Sequence, residues 1–113
     1  MEAKKTVIIS SDTLGAGNEE LGKKLMGSFL RKLWALDKKP AKILFYNSGV
    51  MLMAKGSPVL EALDGLALAG VDLVACGTCV SFFDLKDKMV VGRVGDMHEL
   101  ASSMVDSAAT ITV

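Results

Sequence analysis

The chain has 113 residues, half of them apolar, which is enough for one domain that buries a core without disulfide or metal staples. Thirteen Lys and Arg balance thirteen Asp and Glu, and only 5% of the residues are aromatic. Such a chain lacks the charge to track phosphate backbones or anionic membranes and the rings to stack single strands, so the expected partners are proteins or small molecules, with no nucleic acid and no membrane.

Lys5 to Ser10 (KTVIIS) reads as a buried strand. The Val7-Ile8-Ile9 run is too short for a signal-peptide core or a membrane span, which points to the cytoplasm. Ser11 to Gly17 reads as a loop, and Asn18 as a helix cap with Glu19 and Glu20 in the first turn. Leu21, Leu25, Phe29, Leu33 and Leu36 recur at spacings of four and three, one apolar helix face ending near Lys38-Lys39-Pro40. Lys42 to Asn47 is a second strand. Ser57 and Pro58 open a second helix with Val59, Leu60, Leu63, Leu66, Ala67 and Ala69 on its apolar side, and Gly70 stops it. Val71 to Ala75 is a third strand, Val80 to Asp84 a helical turn, and Met89-Val90-Val91 a weak fourth strand. Asp96 caps a helix through Met104, and Ala109 to Val113 closes as a fifth strand.

Strands alternating with helices require crossovers and hence parallel pairing. The expected fold is a single α/β domain over 1–113, a three-layer α/β/α sandwich on a mostly parallel five-stranded sheet. Strand order does not follow from the pattern.

Two apparent phosphate-binding motifs fail. Gly15 and Gly17 begin a dinucleotide fingerprint, but Glu20 stands where the third glycine belongs, and a carboxylate there repels a pyrophosphate. A P-loop reading through Gly17, Gly22 and Lys23 meets Lys24 in place of the magnesium-binding Ser or Thr, inside the amphipathic helix. Zinc fails on ligand count, since Cys76, Cys79 and His98 are the only soft ligands and a structural site takes four. No cofactor and no metal are expected. Ser10, Ser11 and Asp12 have no nucleophile-elbow sequence around them, so loop hydrogen bonds account for them better than a triad with His98.

The remaining concentration of chemistry is "VDLVACGTCVSFF", which holds both cysteines, Cys76 and Cys79, three apart. In a reducing compartment such a pair serves catalysis, redox work or metal binding more often than a structural disulfide. In parallel α/β sheets, ligands bind outside the carboxyl ends of the strands. Cys76 falls at the end of strand three, Asn47 at the end of strand two, and Ser11 and Asp12 just after strand one, so these groups are expected on one rim. Gly77 would leave the Cys76 sulfur approachable, and the following amides would lower its pKa. The packing alternative is a cysteine that merely fills space, which suits Cys79 beside Phe82 and Phe83 as well as any function does.

The segment "GVDLVACGTCVSFFDLKDKMVVGRVGDMHEL" resembles the C-terminal domain of YedF-type selenium-metabolism proteins in the DsrE/DsrF-like family. "SSDTLGAGNEELGKKLMGSFLRKL" and "FYNSGV" resemble that family's first loop-helix and second strand end, so the resemblance spans nearly the whole chain. It implies a Rossmann-like domain that assembles as a homo-oligomer of three or more copies. It also implies a sulfur relay in which Cys76 carries a persulfide between donor and acceptor proteins. Asn47 and Gly49 fall on the family's N-x-G corner. Relatives often have tyrosine where His98 stands, so a helix-surface histidine is expected there.

The leading expectation is therefore a sulfur or selenium carrier, sulfurtransferase-like if it turns over. Cys76 and Cys79 would react, and Ser11, Asp12, Asn47, Gly49, Gly77 and Thr78 would line the site. One alternative is a dithiol–disulfide oxidoreductase using the same two cysteines. Another is a non-catalytic oligomeric subunit, for which Met51 and Met53 would furnish an exposed apolar contact.

Overall fold

A computed structural model describes residues 4–113; the first three residues of the opening MEAKK segment lie outside it. Five strands form one sheet, β1 (Lys5–Ile9), β2 (Lys42–Phe45), β3 (Asp72–Cys76), β4 (Arg93–Gly95) and β5 (Ala109–Thr112), in the order β4-β3-β2-β1-β5. All four pairings are parallel. The helices are α1 (Glu19–Ala35), α2 (Leu60–Leu68), α3 (Gly77–Phe82) and α4 (Met97–Asp106), with a 3-10 segment over Asn47–Met53.

The layers follow from the alternation of side chains along each strand. Val7, Ile9, Ile43, Phe45, Leu73 and Ala75 point to one face, where Met26, Leu30 and Leu33 of α1 and Ala62, Leu63 and Leu66 of α2 cover them. Leu44, Val74 and Cys76 point to the other face, where Leu100 of α4 meets them. The step from β1 through β2 and β3 to β4 runs toward one edge. The return from β4 to β5 crosses to the opposite edge, and a right-handed crossover then needs its helix on the opposite face. That is why α4 stands alone across the sheet from α1 and α2.

The caps of α1 and α4 are where the sequence places them. Asn18 Oδ1 accepts the Leu21 amide at 2.8 Å, and Asp96 Oδ1 accepts the Glu99 amide at 2.8 Å. Four details differ, the first being α3, which spans Gly77–Phe82 where the sequence suggests a turn over Val80 to Asp84. The buried face of α1 is Gly22, Met26, Gly27, Leu30 and Leu33, whereas Leu21, Leu25 and Leu36 are exposed. Helix α2 starts at Leu60, and Ser57 Oγ instead accepts the Val59 amide in the turn before it. The fourth strand is Arg93–Gly95. Met89 forms only an isolated antiparallel bridge with Ala54, and Val90 is exposed.

Candidate functional site

Strand β3 runs one residue further than the apolar pattern suggests, so Cys76 belongs to the strand. Alternation then sends its side chain toward α4, into a small buried cluster with Leu44, Val74 and Leu100. Cys76 is 0% exposed. The expectation of an open Cys76 sulfur ringed by amides is therefore corrected. The residue holds the cap position of α3, but its side chain makes no capping hydrogen bond. Gly77 does not open a path to it either. A Cβ at 77 would meet the Gly95 carbonyl oxygen at 3.2 Å and a Val94 methyl at 3.3 Å, so the glycine lets β4 lie close.

The sulfur that reaches the surface is that of Cys79, one turn into α3 and half-buried. The Asn47 amide donates to Cys79 Sγ at 3.0 Å. Asn47 follows the end of β2 with φ of 52°, a left-handed conformation that asparagine tolerates better than most residues. Burial pushes the Cys79 thiol above its ordinary value. The neighbouring Cys76 sulfur adds to that rise, and the Asn47 amide pulls against it. The resting group at neutral pH is thus a thiol with a donor already in place for its anion.

Cys79 opens onto a cavity of about 540 Å³. Tyr46, Phe82, Phe83, Met97 and Met104 form most of its lining, and Asn47, Thr78 and Cys79 complete it. The Phe82 and Phe83 rings meet edge to face with centroids 5.2 Å apart, and Phe82 is 82% exposed. Sequence reasoning missed Tyr46, Met97 and Met104, yet the signal was present. Met97, Leu100 and Met104 stand at i, i+3 and i+7 on one face of α4, and Tyr46 continues the Leu44 side of β2.

The other expected rim residues separate. Ser11, Asp12 and Ser48 form a hydrogen-bonded knot: Ser48 Oγ accepts the Asp12 amide at 3.2 Å and donates to Ser11 Oγ at 3.5 Å. Asp12 lines a second cavity of about 410 Å³, with Lys23, Met26 and Lys55 among its neighbours. Gly49 is buried, and a Cβ there would lie 2.5 Å from the Ile9 carbonyl oxygen; its role is close backbone packing. Of the expected site residues, only Asn47, Thr78 and Cys79 line the larger cavity. Within Val50 to Met53 only Met51 is exposed, so that run is chiefly core.

His98 is exposed on α4, outside the cavity lining. The charges nearby satisfy one another. Arg93 binds Asp72 through Nε at 3.0 Å and Nη2 at 2.9 Å, and also binds Glu99, while Lys42 Nζ donates to Ser103 Oγ at 3.0 Å. Arg93 holds the Asp72 and Glu99 carboxyls below their ordinary values. This network ties α4 to the sheet beside the buried cluster. Among the described residues, no three His, Cys, Asp or Glu side chains group to hold a metal ion, and no helix is long and apolar enough to cross a membrane.

No protein-family model matches the chain, and no curated protein matches it by sequence. Solved structures do. The ychN protein from E. coli superposes with a TM-score of 0.76 at 14% identity, over 99% of this chain and 100% of that one. MTH1491 from Methanobacterium thermoautotrophicum gives 0.74 at 19% identity, over 99% and 100%, and BT1422 from Bacteroides thetaiotaomicron gives 0.65 at 14%, over 97% and 95%. The last two are described as proteins of unknown function. At these identities the likeness establishes the fold alone, an α/β arrangement on a parallel five-stranded sheet.

Proposed function

We propose that the chain is a sulfur or selenium carrier of the DsrE/DsrF-like kind, nearest to YedF-type domains, and that Cys79 is its working atom. The observation carrying this reading is the 3.0 Å hydrogen bond from the Asn47 amide to a half-buried sulfur that opens onto a cavity. The carrier role expected of Cys76 passes to Cys79 because a fully buried sulfur cannot meet a donor. The Cys79 thiolate attacks the outer sulfur of a donor persulfide. The donor's S–S bond breaks, the donor leaves as a thiolate, and Cys79 becomes the persulfide. An acceptor thiolate then attacks the outer sulfur, and Cys79 leaves as a thiolate. No net oxidation occurs, and the Asn47 amide stabilises the anion at both ends of the cycle. Donor and acceptor proteins in the cytoplasm, and a homo-oligomer of three or more copies, belong to the same proposal. Exposed Val94 and Val105 supply apolar surface for such contacts.

A second reading is supported by the neighbouring sulfurs. Cys76 can attack the inner sulfur of a Cys79 persulfide, releasing sulfide and closing a Cys76–Cys79 disulfide, as in a dithiol oxidoreductase. One experiment separates the roles: incubation with inorganic polysulfide, followed by intact-mass measurement. The wild type is expected to gain one sulfur, Cys76→Ser to keep that gain and Cys79→Ser to lose it. Loss in Cys76→Ser alone would return the carrier role to the buried residue, and no gain in the wild type would overturn the relay reading. A disulfide that equilibrates with glutathione would favour the dithiol reading.

A further inference from the structure

The cavity beside Cys79 has a composition that the relay reading does not call for. None of its lining residues is charged. A lone hydrosulfide or a protein-borne persulfide terminus needs only a narrow approach, whereas about 540 Å³ is within the range that encloses a small organic ligand. Two thioethers, Met97 and Met104, and the crossed rings of Phe82 and Phe83 supply a polarizable, adaptable apolar surface. Polar groups are few: the Tyr46 and Thr78 hydroxyls and the Asn47 amide, the usual number for orienting a ligand and not for solvating an ion. Arg93, Asp72 and Glu99, which tie α4 to the sheet, are bound to one another. A carboxylate or ammonium resting on this apolar lining would give up part of its water and meet no charged lining residue.

We infer that the Cys79 cavity selects a small sulfur compound whose sulfur is borne by an uncharged aryl or alkyl group, and that it discriminates against charged thiol carriers of the glutathione type. The inference rests on Cys79 as the reacting atom and names the substrate class of that site. With a neutral disulfide, the Cys79 thiolate attacks one sulfur, the S–S bond breaks, the organic thiolate departs and a mixed disulfide remains. With the corresponding persulfide, the outer sulfur is transferred and the same organic thiolate departs. In both cases the organic group occupies the space between α3 and α4 while the Asn47 amide faces the reacting sulfur.

Two measurements on the full chain test this. Cys79→Ser, which cannot react at that position, is titrated with phenylmethanethiol while the methyl signals of Met97 and Met104 are followed by NMR. Saturable shifts at both methyls are expected, with a dissociation constant of about 1 mM or tighter. Separately, Cys79 modification is timed in Cys76→Ser with dibenzyl disulfide and with glutathione disulfide. The rate ratio is compared with that of the same chain unfolded in urea. The folded chain is expected to favour the neutral reagent by roughly tenfold or more, in line with about 1.4 kcal/mol of selective binding, and Met97→Lys to reduce that preference. Absence of the methyl shifts, or a folded ratio equal to the unfolded one, overturns the inference and leaves sulfur relay standing. Shifts and selectivity together with no polysulfide-derived sulfur on the wild type keep the binding site and remove the relay. Methyl shifts confined to one methionine mean the ligand lies elsewhere, which also overturns it.

Discussion

Truncation of Leu100 to alanine probes the packing that buries Cys76. The cluster on the α4 side consists of Leu44, Val74, Cys76 and Leu100, all fully buried. Leu100 is the one helix residue among these four, and Cys79 and Met104 pack against the same cluster, so Leu100 is expected to cover Cys76. The Arg93 clamp to Asp72 and Glu99 restrains α4 from sinking into the space left behind. A Leu→Ala truncation in a core costs at least about 3 kcal/mol where the cavity collapses little. A buried thiol is labelled only when the structure opens, and its rate then follows the opening equilibrium. At 1.36 kcal/mol per factor of ten, that loss predicts alkylation of Cys76 at least roughly 150-fold faster. Cys79 reacts from the closed state, so its rate should change by less than about threefold. The assay is iodoacetamide labelling followed by mass, in Cys79→Ser and Cys76→Ser backgrounds, with urea unfolding of the same proteins. If Cys76 is labelled as fast as Cys79 in the folded parent, the burial argument fails. If Leu100→Ala loses stability without accelerating Cys76, Leu100 does not cover it.

Three further outcomes follow from the geometry. Alkylation of Cys79 should show a midpoint above the 9.0 of an unperturbed thiol, because burial and Cys76 outweigh the Asn47 amide; a midpoint below it refutes that balance. Asp72 and Glu99 have lowered pKa values, so their contribution is fully present above the ordinary values of 3.8 and 4.5 and is lost as pH falls through the folded values. Urea midpoints at pH 7 and pH 3 should therefore differ less in Arg93→Met than in the parent, and an unchanged difference counts against the network. Gly49→Ala forces a Cβ to within 2.5 Å of a backbone carbonyl oxygen. A loss of about 1–3 kcal/mol is expected, as for other overpacked sites, and a neutral effect in urea unfolding contradicts the close approach of the 3-10 segment to β1.

Much of the scaffold was legible because it rests on short-range chemistry. The β-branched Val7-Ile8-Ile9 run, the Asn18 and Asp96 caps and the alternation of strands with helices each act over a few residues. The misreadings came from longer-range geometry. Residues four apart drift by about 40° around a helix, so a stripe from Leu21 through Leu25 and Phe29 to Leu33 begins off the core face and reaches it only at its end. The true face uses Gly22, where a Cβ would come within 2.7 Å of the Thr13 side chain, and glycine carries no hydrophobic signal. Strand β4 is three residues long and begins with an arginine, so nothing in its composition outweighs the neighbouring Met89-Val90-Val91.

The exposure expected of Cys76 fails by one residue of register, and the consequence is large because a strand alternates every residue. Had β3 ended at Ala75, Cys76 would have stood in the turn as a free donor-facing sulfur. With β3 ending at Cys76, that sulfur joins Leu44, Val74 and Leu100 beneath α4, and the next cysteine, carried round by one helical turn, takes the open position. The C-x-x-C spacing thus does two jobs at once. It places one sulfur in the sheet's packing, where it adds to the burial that raises the pKa of its neighbour, and presents the other to the Asn47 amide and a cavity with no charged lining residue. A strand-end cysteine pair of this spacing is asymmetric by construction, and its chemistry depends on which member the sheet absorbs.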